Sequence, residues 1–199
     1  MTEDIITKIK KINSTYIKNI TRIITYNNEI LKIEYRKNIN NGTFECLEYN
    51  DLIKDKIKEI KYDISYINMT NEWAKNSYAK RKKVGALFVK DTMIISDGFN
   101  GTPKHFPNEC EDDNDVTYPY VCHAEQNALS KLAKSTNSAY KSTLYVSMSP
   151  CQDCSKQVIQ AGTKRIVFWE FYRKDSAVDW MLKSNMKVDY YNSKIISYI

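Results

Sequence analysis

The chain has few of the residues that mark interdomain linkers, disulfide frameworks and membrane spans. Only 5 glycines and 4 prolines occur among its 199 residues, and no segment rich in glycine, proline or serine separates two domains. Its 5 cysteines are an odd number, which argues against a disulfide framework. Apolar runs are only a few residues long, far short of the roughly 20 that cross a bilayer. We therefore expect no membrane association.

The amino-terminal residues also lack the apolar core and cleavage site of a secretion signal, because residues 1–11 mix Thr, Glu, Asp, Ile and Lys. We expect a cytoplasmic protein, or one in the host cytoplasm if the source is viral. The formal net charge of +6 is spread as single lysines, apart from the cluster Lys80 to Lys83. Dispersed charge of this kind favours anionic partners but supplies no continuous basic and aromatic groove. We expect no nucleic-acid partner.

Length and pattern indicate one main domain, residues 66–199, preceded by an extension, residues 1–65. In the extension, apolar residues from Ile5 to Ile24 follow helical spacing and predict an amphipathic helix. Residues 30–37 and 43–49 flank Asn40-Asn41-Gly42 and predict a β-hairpin. Asp51 is expected to cap a short helix that reaches Ile60. These elements have apolar faces that need cover, so we favour a subunit-interface role over regulation or solubility alone.

The main domain alternates strand and helix patterns. The predicted elements are a helix at 72–80, strands at 84–89 and 93–97, a loop at 98–120, a helix at 122–134, a strand at 143–147, a helix at 151–161 closed by Gly162, a strand at 165–169, a helix at 177–184 and a strand at 187–191. Such an order predicts an α/β domain with a sheet between helices.

Two short motifs carry the chemistry of this chain: His123-Ala124-Glu125 and, further on, Pro150-Cys151-Gln152-Asp153-Cys154. One histidine and two thiolates fill three corners of a tetrahedral zinc ion, and a catalytic zinc leaves the fourth corner to water. Cys151 and Cys154 are three residues apart at a predicted helix start, so they project on the same side. The positive end of the helix also favours thiolates.

Glu125 is then a carboxylate that is not required as a zinc ligand. Zinc lowers the pKa of bound water from about 15.7 to roughly 7, which makes hydroxide available for attack on an amidine-like ring carbon. Glu125 would take the water's proton, deliver it to a ring nitrogen and later protonate the departing amine. The pair of motifs is the signature of zinc deaminases. Cys-x-x-Cys alone would favour a structural zinc site, and the added His-x-Glu favours the catalytic interpretation.

Five blocks in this order resemble the deoxycytidylate (dCMP) deaminase family of zinc deaminases. They are Lys83-Val84-Gly85-Ala86, Gly98-Phe99-Asn100-Gly101-Thr102-Pro103, Tyr118 to Ala128, Ser149-Pro150-Cys151 with Cys154, and Ile159-Gln160-Ala161-Gly162. The resemblance runs from about Trp73 to Tyr191. It implies a cytidine-deaminase-like three-layer α/β/α fold with a central mixed five-stranded sheet. It also implies hydrolysis of dCMP to dUMP and ammonia, with attack at C4, which feeds thymidylate synthesis.

The resemblance further implies roles for individual residues. Asn100 would form a hydrogen bond with the deoxyribose. The Ala124 backbone N–H would donate to the pyrimidine carbonyl, and the Ser149 carbonyl would accept from the amino group. Arg81 and Tyr172 stand where similar enzymes handle the 5′-phosphate or the ring. The alternatives are a turn role for Asn100, a solvated basic face for Arg81 and ordinary packing for Tyr172.

Similar enzymes are often hexamers regulated by dCTP and dTTP with Mg²⁺, at a site built around the block Gly98, Phe99, Asn100 and Gly101. Phe99 replaces a tyrosine of the family pattern, which keeps a ring but removes a hydroxyl. The acidic stretch Glu109, Glu111, Asp112, Asp113 and Asp115 would either hold an effector's Mg²⁺ or form a solvated loop. Some relatives bind a second zinc through cysteines. Because Ala79 stands at one of those positions and only Cys110 remains, we expect one zinc per chain.

Two other functions remain open at this stage. The chain could deaminate another cytosine nucleoside or nucleotide, or an RNA base, although an RNA substrate would need the basic and aromatic groove that the sequence lacks. It could also be an inactive subunit that binds nucleotides only. The presence of Glu125 argues against that second alternative.

Overall fold

The computed structural model describes residues 16–26, 29–38, 44–46, 51–172 and 176–191. No helix in these ranges is both long and apolar enough to cross a membrane. The chain divides into two compact units between Ile60 and Lys61. The sequence boundary at residue 65 stays a prediction, and that residue lies within a helix.

The described part of the first unit contains a three-stranded antiparallel sheet. Its strands are β1 (Tyr16–Tyr26), β2 (Glu29–Asn38) and β3 (Phe44–Cys46), in the order β1-β2-β3. The predicted helix is wrong for residues 16–24, which belong to β1, while residues 5–15 lie outside the described ranges. β-branched Ile and Thr dominate this stretch and favour extended backbone over a helix, whatever the apolar spacing. The hairpin is confirmed where β2 pairs with β3 at Tyr35 and Cys46, and its turn lies outside the described ranges.

One helix, α1 (Asp51–Ala74), replaces the two helices predicted on either side of residue 65. It begins at Asp51 as expected and continues well past Ile60. The predicted helical residues 75–80 are not helical, because the chain leaves α1 through tight turns. Lys75, Asn76 and Ser77 each donate a backbone hydrogen bond three residues back, at 3.0–3.1 Å. Ser77 Oγ then donates to the Asn100 carbonyl at 2.7 Å, which fixes the exit.

The second unit is built on a mixed five-stranded sheet, as the resemblance implied. Its strands are β4 (Gly85–Lys90), β5 (Met93–Phe99), β6 (Thr143–Met148), β7 (Arg165–Glu170) and β8 (Lys187–Tyr190). The order is β5-β4-β6-β7-β8. β4 is antiparallel to both neighbours, whereas β6, β7 and β8 are parallel. Asp91 and Thr92 have positive φ angles of 49° and 63° and make the two-residue turn between β4 and β5.

Helices cover both faces of this sheet, which confirms the three-layer architecture. On one face lie α2 (Ala124–Leu132), α3 (Gln152–Gln160) and α4 (Ser176–Lys183). They bury a core with the sheet that includes Phe88, Ala128, Val146, Val158, Phe168 and Met181. The second half of α1 covers the other face, where Tyr66 and Ile67 pack with Leu87, Tyr145 and Val167.

Two glycines set the geometry near the helix termini. A Cβ at Gly98 would overlap the Ala124 carbonyl and lie 2.7 Å from the Ala128 nitrogen, so only glycine lets the end of β5 pass this close to α2. Gly162 follows α3 with a φ of +73°, the left-handed cap predicted for that position.

Candidate active site

Three metal-ligating atoms converge where α2 and α3 begin. His123 is the N-cap of α2 and Cys151 the N-cap of α3, both with extended backbone. Cys154 lies in the first turn of α3. The His123 Nδ1 atom is 3.4 Å from each cysteine Sγ, and all three ligand atoms lie within 4.8 Å of one another. The sequence motifs are therefore brought together in one cluster.

The geometry of this cluster fits a zinc ion. Bond lengths of roughly 2.3 Å to sulfur and 2.0–2.1 Å to nitrogen put two tetrahedral ligands about 3.6 Å apart. The 3.4 Å separations between His123 Nδ1 and the two thiols are close to that value. Three protein ligands leave one coordination position open, as in catalytic rather than structural zinc sites.

Electrostatics favour a thiolate in this cluster. The pKa of Cys151 is lowered to about 4, first by a hydrogen bond from the Cys154 thiol and then, against the effect of burial, by His123. Both cysteines stand at the amino terminus of α3, where unpaired N–H groups stabilise negative charge. The Gln126 side chain accepts a hydrogen bond from the His123 backbone N–H at 2.9 Å and fixes the turn that carries the histidine.

Glu125 lies beside the cluster in the first turn of α2. Only 3% of the residue is exposed, and burial raises the pKa of its carboxyl to about 7. A hydrogen bond from its own backbone N–H, the nearby His123 and a hydrogen bond accepted from the Cys154 thiol partly oppose that rise. A carboxyl group with such a pKa can both accept and donate a proton near neutral pH.

One cavity of about 720 Å³, including its open mouth, joins this cluster to a basic loop. His123, Glu125 and Cys151 line it, and so do Arg81 and Lys82. The cavity thus combines a metal-ligating cluster and a buried carboxyl with two cationic side chains. Such a site suits a small anionic molecule that reacts at one of its atoms.

All five residues expected to bind substrate also line this cavity: Arg81, Asn100, Ala124, Ser149 and Tyr172. Asn100 already uses its amide within the protein, because Nδ2 donates to the Lys82 carbonyl and Oδ1 accepts from the Val84 N–H, both at 2.8 Å. Ser149 Oγ accepts a hydrogen bond from the Tyr172 backbone N–H at 2.9 Å. That contact fixes the backbone at Tyr172 beside the cavity.

Comparison with known proteins supports a deaminase. The family model for the cytidine and deoxycytidylate deaminase zinc-binding region matches residues 60–170. The chain belongs to this family. Human deoxycytidylate deaminase is 35% identical over 127 residues, which make up 57% of this chain and 68% of the relative. The Saccharomyces cerevisiae enzyme is 28% identical over 148 residues, 67% of this chain and 47% of the relative.

A solved structure of the family is also similar. The crystal structure of dCMP deaminase from cyanophage S-TIM5, in complex with dCMP and dUMP, has a TM-score of 0.62 and 37% sequence identity. The match covers 72% of this chain and 100% of that one. The chain spans about half to two thirds of the length of the human and yeast relatives.

The block proposed for an effector forms part of the deaminase scaffold. Gly98 packs beneath α2, and the Phe99 carbonyl accepts a hydrogen bond from the Asn127 amide at 2.8 Å. Gly101 exchanges two backbone bonds with Cys122, at 3.0 and 2.9 Å. Asn100 is the member of this block that lines the cavity described above.

The acidic stretch before α2 does not behave as one solvated loop. Glu109, Asp113 and Asp115 are exposed, and Asp112 is half-buried. Glu111 is buried, with 6% of the residue exposed, and lines the same cavity as Glu125. No local pattern marks this difference, because the backbone N–H groups that bind Glu111 lie about thirty residues earlier in the chain.

The two positions considered for a second zinc lie in a buried apolar cluster. Ala79 and Cys110, each 2% exposed, pack with Val121 in a small buried cluster. Burial raises the pKa of the Cys110 thiol, with a further contribution from Glu111. A buried, protonated thiol is a poor metal ligand.

Proposed function

We propose that this protein deaminates dCMP to dUMP and ammonia by zinc-dependent hydrolysis. The observation that carries the proposal is the shared cavity, in which His123, Cys151 and buried Glu125 lie with the cationic residues Arg81 and Lys82. Similarity to deoxycytidylate deaminases supports the choice of substrate.

His123, Cys151 and Cys154 would hold the zinc ion. When bound, zinc supplies Lewis acidity that makes hydroxide available from water at neutral pH. The same three residues would place the ion at the amino termini of two helices that pack into the core.

Glu125 would move the protons. Hydrolysis adds water across the C4–N3 bond of cytosine and then breaks the bond from C4 to the amino nitrogen. Glu125 would receive one proton from the water and pass it to N3. It would then take the second proton from the new C4 hydroxyl and deliver it to the amine, so that ammonia departs and the ring keeps the oxygen as a carbonyl. Its burial suits this role, because it raises the pKa of the carboxyl to about 7, where the group can both accept and donate a proton.

The other residues lining the cavity would orient the nucleotide. We assign the deoxyribose to Asn100, the pyrimidine carbonyl to the Ala124 N–H and the amino group to the Ser149 carbonyl. Tyr172 would contact the ring, and the Arg81 guanidinium would pair with the 5′-phosphate, whose oxygens match its planar fork of donors.

We also propose a cytoplasmic homo-oligomer, a hexamer in the form expected from the resemblance, with residues 1–65 at a subunit interface. The effectors would be dCTP and dTTP with Mg²⁺ at the block Gly98 to Gly101. Analytical ultracentrifugation of the full chain and of a version without residues 1–65 tests the assembly. A smaller particle is expected from the shortened chain, and an unchanged mass would contradict the interface role.

A substrate comparison tests the central proposal. Purified zinc-loaded protein is incubated with dCMP, CMP or deoxycytidine, each with and without dCTP and dTTP, and ammonia release is measured. We expect the highest kcat/KM for dCMP and a change in rate with the effectors. Turnover of deoxycytidine with dCMP untouched would overturn the choice of substrate.

A further inference from the structure

We propose that Glu111 is a positioning residue for the phosphate-binding part of this site. Its buried carboxylate holds the loop of residues 77–84, here termed the cationic loop, so that Arg81 and Lys82 face the nucleotide. The inference rests on the proposed function, because it assigns the 5′-phosphate to this loop.

The cationic loop has little structure of its own. It connects α1 to β4 without helix or strand, and four consecutive basic residues, Lys80 to Lys83, repel one another. Arg81, Lys82 and Lys83 are all exposed. Such a loop would spread into solvent unless other parts of the protein held its backbone.

Two side chains from other segments hold it. Glu111 Oε2 accepts a hydrogen bond from the Lys80 N–H at 3.0 Å, and Oε1 lies 3.4 Å from the Arg81 nitrogen in a longer one. Asn100 binds the next part of the loop through Lys82 and Val84, as described above. Glu111 and Asn100 therefore fix the backbone on both sides of the two cationic side chains that line the cavity.

The burial of Glu111 is consistent with this single role. A buried charge is costly unless it is hydrogen-bonded, and within the described ranges Glu111 has no salt bridge with any lysine or arginine. Its stabilising partners are the two loop N–H groups. Its own backbone is held by a bridge to Thr117 and by the adjacent bond from the Tyr118 N–H to the Cys110 carbonyl at 2.9 Å.

The charge of Glu111 works against an anionic ligand in the same cavity. A carboxylate repels a phosphate group, so Glu111 would weaken nucleotide binding if its charge alone mattered. Its contribution must come through the position of Arg81 and Lys82. Loss of Glu111 should accordingly impair binding of the phosphate and leave the chemical step at C4 nearly intact.

Kinetics with two substrates test this role in the zinc-loaded full-length protein. We expect Glu111→Ala to raise the KM for dCMP roughly tenfold, because charged hydrogen bonds to the loop are lost, with kcat changed less than about twofold. The kcat/KM for deoxycytidine, which has no phosphate, should stay at the wild-type value. The Kd for dUMP, measured by titration calorimetry, should weaken by the same factor as the KM for dCMP.

Conservative variants separate position from charge. Glu111→Gln keeps one acceptor oxygen and removes the charge, so it should restore most of the affinity lost in Glu111→Ala. Glu111→Asp keeps the charge but is too short to reach both N–H groups, so it should raise the KM for dCMP. Glu109→Ala, an exposed carboxylate in the same loop, is the matched control and should behave as wild type.

Several outcomes would overturn the inference. These are an unchanged KM for dCMP in Glu111→Ala, or an equal loss on dCMP and deoxycytidine. If Glu111→Ala does not fold, a wild-type KM in Glu111→Asp contradicts the role equally. Inactivity of the wild-type protein on dCMP would instead reject the proposed function, and dUMP binding by the variants would still report on the loop.

Discussion

Arg165 and Asp63 form a bidentate ion pair inside the protein, although 102 residues separate them in the sequence. Arg165 Nη1 donates to Asp63 Oδ1 at 2.7 Å, and Nη2 donates to Oδ2 at 2.6 Å. Asp63 also accepts hydrogen bonds from the hydroxyls of Tyr145 and Tyr191, at 2.5 and 3.0 Å. Arg165 Nε donates to Asp189 at 2.6 Å. The network ties α1 to three strands of the central sheet.

This network should be a major determinant of stability. Burial opposes the charge of Arg165, but the ion pairs with Asp63 and Asp189 outweigh it and raise the pKa of the guanidinium. We expect Asp63→Asn to lower the free energy of unfolding by about 3–5 kcal/mol, because it leaves a buried cation with fewer partners. Urea denaturation followed by circular dichroism measures the change.

An exposed ion pair at the carboxyl-terminal end of the same helix provides the control. Glu72 and Lys75 are joined at 2.6 Å, but their side chains are 71% and 70% exposed. Glu72→Gln should cost no more than about 1 kcal/mol. Equal losses in the two variants would show that the buried network contributes nothing beyond a surface pair.

Replacing Glu125 by glutamine should abolish turnover and leave the metal in place. The amide keeps the shape of the side chain but cannot accept and donate the transferred protons. The kcat for dCMP should therefore fall by about 10²–10⁴-fold. Zinc content, measured by atomic emission, should stay at one ion per chain.

Cys151→Ser should behave differently, with loss of both zinc and activity. Wild-type kcat in Glu125→Gln would contradict the assigned proton transfers.

Glu125 should also give the zinc-free protein a distinctive pH dependence. Burial raises the pKa of this carboxyl from 4.5 to about 7. Between these values the folded state binds the proton and the unfolded state does not, so stability falls as pH rises through this window. The loss due to Glu125 should be on the order of 2–3 kcal/mol.

The comparison that isolates this effect uses Glu125→Gln. The unfolding free energy of the two zinc-free proteins is measured by urea titration at several pH values from 4.5 to 7.5. The difference between wild type and variant should shift against the wild type as pH increases. A difference independent of pH would mean that Glu125 does not titrate in this range.

Local patterns predicted the site better than they predicted the connections. His123, Cys151 and Cys154 were identified from the sequence because spacing at helix starts determines which side chains converge. The extent of α1 was not predicted correctly. A charged helical stretch has no local feature that shows where the helix ends, because that end depends on contacts with the sheet. The contact of Ser77 with the Asn100 carbonyl depends on the folded sheet.

Buried charges were missed for the same reason. In sequence, Glu111 is one of several acidic residues, and Asp63 is one of several charges in a helix. Both are buried in the structure, at 6% and 0% exposure. Their partners, Lys80 and Arg165, lie far away along the chain. Periodicity reports the polarity of a face, whereas a hydrogen-bonded charge within it requires tertiary contacts.

Gly98 should link the sheet to the catalytic residues. A Cβ there would overlap the Ala124 carbonyl and lie 2.7 Å from the Ala128 nitrogen, and neither atom can move without displacing α2. We expect Gly98→Ala to cost about 1–3 kcal/mol of stability through overpacking. It should also lower kcat, up to about 10²-fold for a shift of roughly 1 Å in Glu125.

Gly101 is the matched position. A Cβ there would meet only the Phe99 ring, at 3.9 and 4.0 Å, which is ordinary contact. Gly101→Ala should therefore change stability by less than about 0.5 kcal/mol. Thermal unfolding of both variants, with zinc content and kcat for dCMP measured on the same samples, makes the comparison. If Gly98→Ala matched Gly101→Ala in melting temperature and kcat, α2 would have to tolerate the added methyl group, and the close packing of β5 beneath it would not position Glu125.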